Sequence, residues 1–291
     1  MGFREGRVRV NDVELVYLGM GPEDGPLALC LHGFPDSAWT WRFLAPELVA
    51  AGFRVVAPFL RGYAPSAVPA DGRFQSGALA LDALELHSAL GGDGSAVLIG
   101  HDWGALAAYG AASGGPERWR RVVAAAVPPA LDLQRLFSYD QVKRSFYFFV
   151  FQWPMAEMIV GADDLVFIDR LWADWSPGYD GSDDVPRVKD CLRDPANLTA
   201  AIGYYRAALG ALPQDPALAD LQAGTNAPPP QPTLYLHGAD DGCMAVSLTE
   251  GVDRQLAPGS RVEIVPGTGH FLHLERPDVV NKAILDFVTA P

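Results

Sequence analysis

The chain has 291 residues, enough for one large domain or for a core with an insertion. Asp and Glu number 35 against 22 Lys and Arg, a net charge of −13. That balance excludes a nucleic-acid footprint and adhesion to anionic membranes, both of which need a basic surface, and makes a small neutral molecule the expected partner. No stretch approaches the ~20 apolar residues of a membrane span, and the first residues carry no apolar leader. Cys30, Cys191 and Cys243 fit neither a zinc pattern nor a disulfide framework. Free thiols in a reducing cytoplasm are therefore expected.

In chain order, residues 7–10 and 13–18 read as a hairpin turning at Asn11-Asp12. Residues 27–31 and 54–57 are short apolar strands, and 77–90 carry helical periodicity through Leu79, Ala83, Leu86 and Leu90. Two more buried strands are expected at 96–99 and 122–127. Continuous apolar strands separated by helices predict a parallel sheet covered on both faces. After Pro128-Pro129 the chain becomes rich in aromatics and helix-like, without clear buried strands, until the stiff connector at 227–232. Strand texture returns at 233–237 and 262–265, and a helix at 277–288 opens with Pro277. The predicted organisation is an α/β core over 1–130 and 226–291, interrupted by a helical cap over 131–225.

The motifs with chemical content each follow a strand, so they should meet at the carboxyl edge of the sheet. Gly100-His101-Asp102-Trp103-Gly104 lies between an apolar strand and an alanine-rich helix. This is the small–x–nucleophile–x–small pattern of a nucleophile elbow, with Asp102 as the nucleophile. An Asp ahead of a helix also serves as an N-cap, but the flanking glycines favour the elbow. A carboxylate there suits displacement at a saturated carbon, giving an alkyl ester of the enzyme. Gly267-Thr268-Gly269-His270-Phe271 offers a general base in His270; nearby His273 is assigned a structural role. In His237-Gly238-Ala239-Asp240-Asp241 one carboxylate orients the base, Asp241 being preferred and Asp240 the competitor. His32-Gly33-Phe34-Pro35 aims the Phe34 N–H at a developing oxyanion, with the Trp103 N–H as second donor.

Together, His32-Gly33-Phe34-Pro35, Arg61-Gly62-Tyr63-Ala64-Pro65-Ser66, the Asp102 elbow and the His270 loop resemble an α/β-hydrolase of the epoxide hydrolase family, related to the haloalkane and fluoroacetate dehalogenases. Ala64 departs from the family's usual glycine. The resemblance implies a mostly parallel eight-stranded sheet flanked by helices, with an inserted helical cap. It also implies two cap tyrosines that protonate the opening epoxide. Tyr147, five residues before Gln152, and Tyr205, in Gly203-Tyr204-Tyr205-Arg206, stand at positions similar to these, and Tyr204 remains the alternative to Tyr205. A phenol is a weak acid that donates without ionising in the resting enzyme.

The expected reaction is hydrolysis of an epoxide to a vicinal diol through an Asp102 ester, with no metal or organic cofactor. Haloalkane dehalogenation by Asp102, His270 and Asp241 is the alternative, since Trp103 resembles the elbow tryptophan that donates to halide. Phe34, however, occupies the place of a second, asparagine donor, leaving cap tryptophans to supply it. Trp103 also stands where fluoroacetate enzymes need an arginine. A ligand receptor of the same fold is the remote alternative. Phe34, Trp103, Trp153 and Trp172 are the candidate substrate contacts, with Trp175 and Tyr179 as further shapers of an apolar pocket. Monomer and homodimer are both ordinary for such a fold.

Overall fold

The computed structural model describes residues 2–290, apart from the side chain of Leu133. Eight strands form one sheet in the order β1-β2-β4-β3-β5-β6-β7-β8. They are β1 (Arg4–Val10), β2 (Val13–Met20), β3 (Leu27–Leu31), β4 (Arg54–Pro58), β5 (Ala96–His101), β6 (Trp119–Ala125), β7 (Thr233–Gly238) and β8 (Arg261–Val265). Only β2 runs against its neighbours, pairing antiparallel with β1 and β4; every other pairing is parallel. Strands β3 and β5 are buried at every position, which is why they read as uninterrupted apolar runs rather than as alternation.

Helices α1 (Leu44–Ala50), α2 (Ser76–Ala89) and α3 (Trp103–Gly114) connect the strands of the first half of the core, and α11 (Leu272–Glu275) and α12 (Pro277–Val288) close the chain. Between β6 and β7 the chain inserts a run of helices, where the sequence predicts the cap: α4 (Leu133–Leu136), α5 (Tyr139–Arg144), α6 (Phe146–Val150), α7 (Ala156–Trp175), α8 (Val185–Leu192), α9 (Pro195–Ala208) and α10 (Ala219–Gly224). Asp194 caps α9 by accepting from the Ala196 N–H at 2.8 Å, with Pro195 at the first helical position. Inside α7, residues Ala162 to Leu165 leave helical geometry, three of them left-handed. Gly161 directly precedes that kink, and no proline lies inside the helix.

The expected strands sit where the apolar runs placed them. The one at 122–127 begins earlier and ends sooner, as Trp119–Ala125. Its start is hidden by Arg120 and Arg121, whose guanidinium groups reach carbonyls at the end of α12. Its end is set by Ala126, which turns left-handed at φ 70°. No described helix is long and apolar enough to cross a membrane, and the three cysteines are free and buried.

Cap and core are joined by hydrogen bonds rather than by apolar contact alone. The Trp172 indole donates to the Pro35 carbonyl at 2.8 Å, Asn197 Nδ2 to Gly62 at 2.8 Å, and the Tyr204 hydroxyl to Arg61 at 2.7 Å. Arg61 is itself buried against Asp82, its Nε donating to Oδ2 at 2.6 Å, and Asn11 completes the carboxylate at 2.8 Å. A buried guanidinium stripped of its carboxylate is an uncompensated charge, and breaking such pairs costs about 3–5 kcal/mol. Asp82→Ala is therefore expected to lower the urea unfolding free energy by about that amount, and an unchanged midpoint would contradict this role for the pair.

Candidate active site

The strand register brings the motifs together. Leu31 at the end of β3 pairs with Gly100 in β5, so the His32–Phe34 turn lies beside the elbow. His32 fixes that turn: its Nδ1–H donates to Gly33 O at 2.8 Å, and its Nε2 accepts from the Leu60 N–H at 3.0 Å. Asp102 has φ 54° and ψ −118°, a conformation that costs a non-glycine residue about 1–3 kcal/mol. The bend leaves no room around it. A Cβ on Gly100 would lie 2.2 Å from Gly104 O, one on Gly104 2.1 Å from Leu31 O, and one on Gly33 2.3 Å from Asp102 Oδ1. These three glycines allow β3, the elbow and the start of α3 to touch.

Asp102 does not use its carboxylate as an N-cap for α3. Oδ1 instead accepts from the Phe34 N–H at 2.8 Å, and Oδ2 lies 3.7 Å from His270 Nε2. Burial raises the Asp102 pKa above the usual carboxylate value, opposed by His270 and by the N–H groups of Phe34 and Trp103.

His270 Nδ1 lies 3.0 Å from Asp241 Oδ2. Asp241 Oδ1 is already occupied by the N–H groups of Cys243 at 2.7 Å and Met244 at 2.8 Å, which orients Oδ2 toward the ring. Adjacent Asp240 is exposed. With Nδ1–H donating to Asp241, Nε2 presents its lone pair beside Asp102. That atom is buried and has no hydrogen-bond partner among the described residues. Burial disfavours the imidazolium, but Asp241, Asp102 and Asp36 outweigh it, so the pKa of His270 lies above the ordinary histidine value.

The loop carrying His270 is held from both sides. Glu275 accepts from the Gly269 N–H at 2.8 Å and from the Ser176 hydroxyl at 2.6 Å, while Ser176 accepts from the Phe271 N–H at 3.0 Å. The carbonyl of Trp175, at the end of α7, accepts from the N–H of His270 at 2.9 Å and of Gly242 at 3.0 Å. Trp175, Ser176 and Glu275 thus position the His270 ring. The sequence points to Trp175 as a pocket residue and a possible halide donor, and does not point to Ser176 or Glu275. A main-chain acceptor leaves no side-chain signature, and the one trace is glycine at 242 and 269, where a Cβ would strike the backbone of Asp174 and Trp175.

The cap tyrosines divide by role. Tyr204 spends its hydroxyl on the Arg61 carbonyl. The Tyr205 hydroxyl is buried beside the Trp103 side chain, which favours the phenolate slightly against the opposing effect of burial. Its ring packs edge-on against Phe34 and Trp103, with centroids 5.1 Å away in each case, and against Tyr147 at 5.5 Å. The Tyr147 hydroxyl lies 3.3 Å from Cys243 Sγ. Burial raises both phenol pKa values well above the usual one, so both remain proton donors in the resting enzyme. Two expected substrate contacts stand apart from this group. Trp153 is 60% exposed, and Trp172 stacks on Phe271 at 3.7 Å with its N–H engaged by Pro35.

Two buried clusters of potential metal ligands occur among the described residues. Asp241, Cys243 and His270 form one, already engaged with one another. The other joins Asp36, His101 and His273, where His101 Nδ1 lies 3.8 Å from Asp36 Oδ2. His101 of this cluster also braces the His270 loop, its Nε2 donating to the His270 carbonyl at 2.9 Å. His273, assigned a structural role from sequence, stacks on Trp41 at 5.0 Å and meets Thr40 Oγ1 at 2.5 Å.

Residues 28–283 match the model of the alpha/beta hydrolase family. The chain is 30% identical over 287 residues to the AB hydrolase superfamily protein YfhM of Bacillus subtilis (strain 168), covering 97% of this chain and 96% of that protein. It is 30% identical over 289 residues to epoxide hydrolase 3 of Mus musculus, covering 97% of this chain and 75% of the relative. The solved structure of epoxide hydrolase A from Mycobacterium thermoresistibile superposes with a TM-score of 0.78 at 26% identity, covering 98% of each chain. A hydrolase sheet with an inserted helical cap, matched along nearly its whole length by such relatives, places this chain in the α/β-hydrolase family, among the epoxide hydrolases.

Proposed function

We propose that the protein hydrolyses a small, neutral, apolar epoxide to a vicinal diol through an alkyl ester on Asp102. The observation that carries this reading is the buried Tyr205 phenol, whose ring packs edge-on against Phe34 and Trp103, the two residues that flank the Asp102 carboxylate, and against the second buried phenol, Tyr147. Epoxide opening generates an alkoxide-like oxygen that needs a proton, and two un-ionised phenols supply it. A departing halide needs N–H donors instead. Of the three cap tryptophans that could serve a halide, Trp172 has its N–H on Pro35 and Trp153 faces solvent, which leaves Trp175, packed against His270, Tyr147 and Phe34, as the one cap donor beside Trp103 for the dehalogenase alternative.

In the first step an Asp102 oxygen bonds to an epoxide carbon, the ring C–O bond breaks, and a phenol passes its proton to the leaving oxygen. In the second, His270, oriented by Asp241, takes a proton from water as the water attacks the Asp102 carbonyl carbon. The N–H groups of Phe34 and Trp103 hold the oxyanion. Collapse expels the alkoxide, which recovers the proton from His270. The remaining proton of the water returns to the phenol that gave up its own, restoring the enzyme.

A single turnover in ¹⁸O-labelled water should place the label in Asp102 and leave the diol unlabelled. Label in the diol on that first turnover would exclude the ester. Tyr147→Phe combined with Tyr205→Phe is expected to abolish epoxide opening, read as diol release from a panel of styrene-type epoxides. Bromide release from bromoalkanes that survives the double substitution would favour the dehalogenase reading instead.

The acid limb of the pH profile follows from the direction of the His270 shift. Below its pKa the ring is protonated and cannot accept from water, so ester hydrolysis falls as pH drops through that value. Asp241 supplies the strongest upward pull against the effect of burial. Asp241→Asn is therefore expected to move the acid limb of single-turnover ester hydrolysis to lower pH, while lowering the plateau on the order of 10⁴-fold. A limb that stays in place would contradict the pairing.

A further inference from the structure

Cys243 touches both halves of the site. Its main-chain N–H donates to Asp241 Oδ1 at 2.7 Å, and its Sγ is the hydroxyl partner of Tyr147 at 3.3 Å. Cysteine and phenol are each only 1% exposed, so no solvent competes for the contact. Tyr205, the other phenol, meets the Trp103 side chain instead of a thiol. The two proton donors are therefore not equivalent.

A phenol has one hydrogen and a thiol has one hydrogen. In the free enzyme the Tyr147 O–H can point at sulfur. Once that hydrogen points at an epoxide oxygen, the 3.3 Å contact persists as a hydrogen bond only if the S–H donates to the phenol oxygen. That oxygen gains negative charge as its proton leaves, so the bond strengthens along the reaction and favours the transition state over the bound epoxide. Burial raises the thiol pKa well above its usual value, which keeps the S–H in place.

We propose that Cys243 is a positioning residue for Tyr147, its thiol turning from acceptor to donor as the phenol protonates the opening epoxide. No proton leaves sulfur. The proton passes from the Tyr147 oxygen to the epoxide oxygen, and the S–H only holds the phenolate until its proton returns. The proposal rests on the reading of Tyr147 as an acid.

The test is single-turnover kinetics on the full chain with styrene oxide, resolving ester formation from ester hydrolysis. Cys243→Ala and Cys243→Val should each slow ester formation about 5- to 20-fold, the range expected for one lost hydrogen bond to a charge-gaining group. Ester hydrolysis should be unchanged. Cys243→Ser, which restores a donor, should recover most of the rate. In a Tyr147→Phe background the cysteine substitutions should have no further effect. Recovery by valine but not by serine would mean that the side chain only packs, and would overturn the proposal. So would equal slowing in the Tyr147→Phe background, or no slowing in the presence of Tyr147. If Tyr147→Phe alone leaves ester formation unchanged, the reading of Tyr147 as an acid fails instead.

Discussion

The structure depends on one strained residue. Asp102 sits at φ 54°, where side chains are disfavoured, and remains there because its surroundings over-determine it. Its N–H is held by Ala125 O at 3.1 Å, its carbonyl starts α3 through Ala105 at 2.9 Å, and its carboxylate accepts from Phe34 at 2.8 Å. Strain of about 1–3 kcal/mol is a large share of a total stability of about 5–15 kcal/mol. The return is a carboxylate lifted from the helix end and held in a dry pocket, where burial raises its basicity.

The second constraint is the bracketing of one imidazole by two carboxylates, Asp241 on Nδ1 at 3.0 Å and Asp102 near Nε2 at 3.7 Å. The arrangement is not built by the core alone. The end of α7 reaches down from the cap, and the Trp175 carbonyl ties the His270 loop to the Asp241 loop through two N–H groups. The same segment places the Trp175 ring edge-on to His270 and against Tyr147, with centroids 5.0 Å away in each case. The segment that ends α7 therefore helps to align the His270 ring directly.

Much of this is legible in the sequence because the signals are local. Apolar runs without alternation mark strands buried on both faces, and 27–31 and 277–288 coincide with β3 and α12. Asp102 and Phe34 sit on turns directly after such strands, and His270 sits on a glycine-flanked loop after the more exposed edge strand β8, so the sheet brings all three to one edge. The choice between Asp240 and Asp241 needed burial, which a pair of adjacent aspartates does not reveal. Neighbours on a helix point about 100° apart, so the aromatic run around Tyr204 and Tyr205 cannot say which faces the elbow. The cap sends Tyr204 to Arg61 and Tyr205 to Phe34 and Trp103. Trp153 and Trp172 were drawn toward the pocket by residue type alone, and their surroundings in the cap place them elsewhere. The supports given by Ser176, Glu275 and the Trp175 carbonyl depend on long-range main-chain contacts and carry no local motif.

The measurement that bears most directly on this account is intact-protein and peptide mass spectrometry of a His270→Gln variant mixed with excess styrene oxide. The account predicts a stable adduct of one epoxide mass, mapped to the carboxyl group of residue 102 and released as the diol by mild base. An adduct on any other residue, or continued diol formation without an adduct, would contradict it.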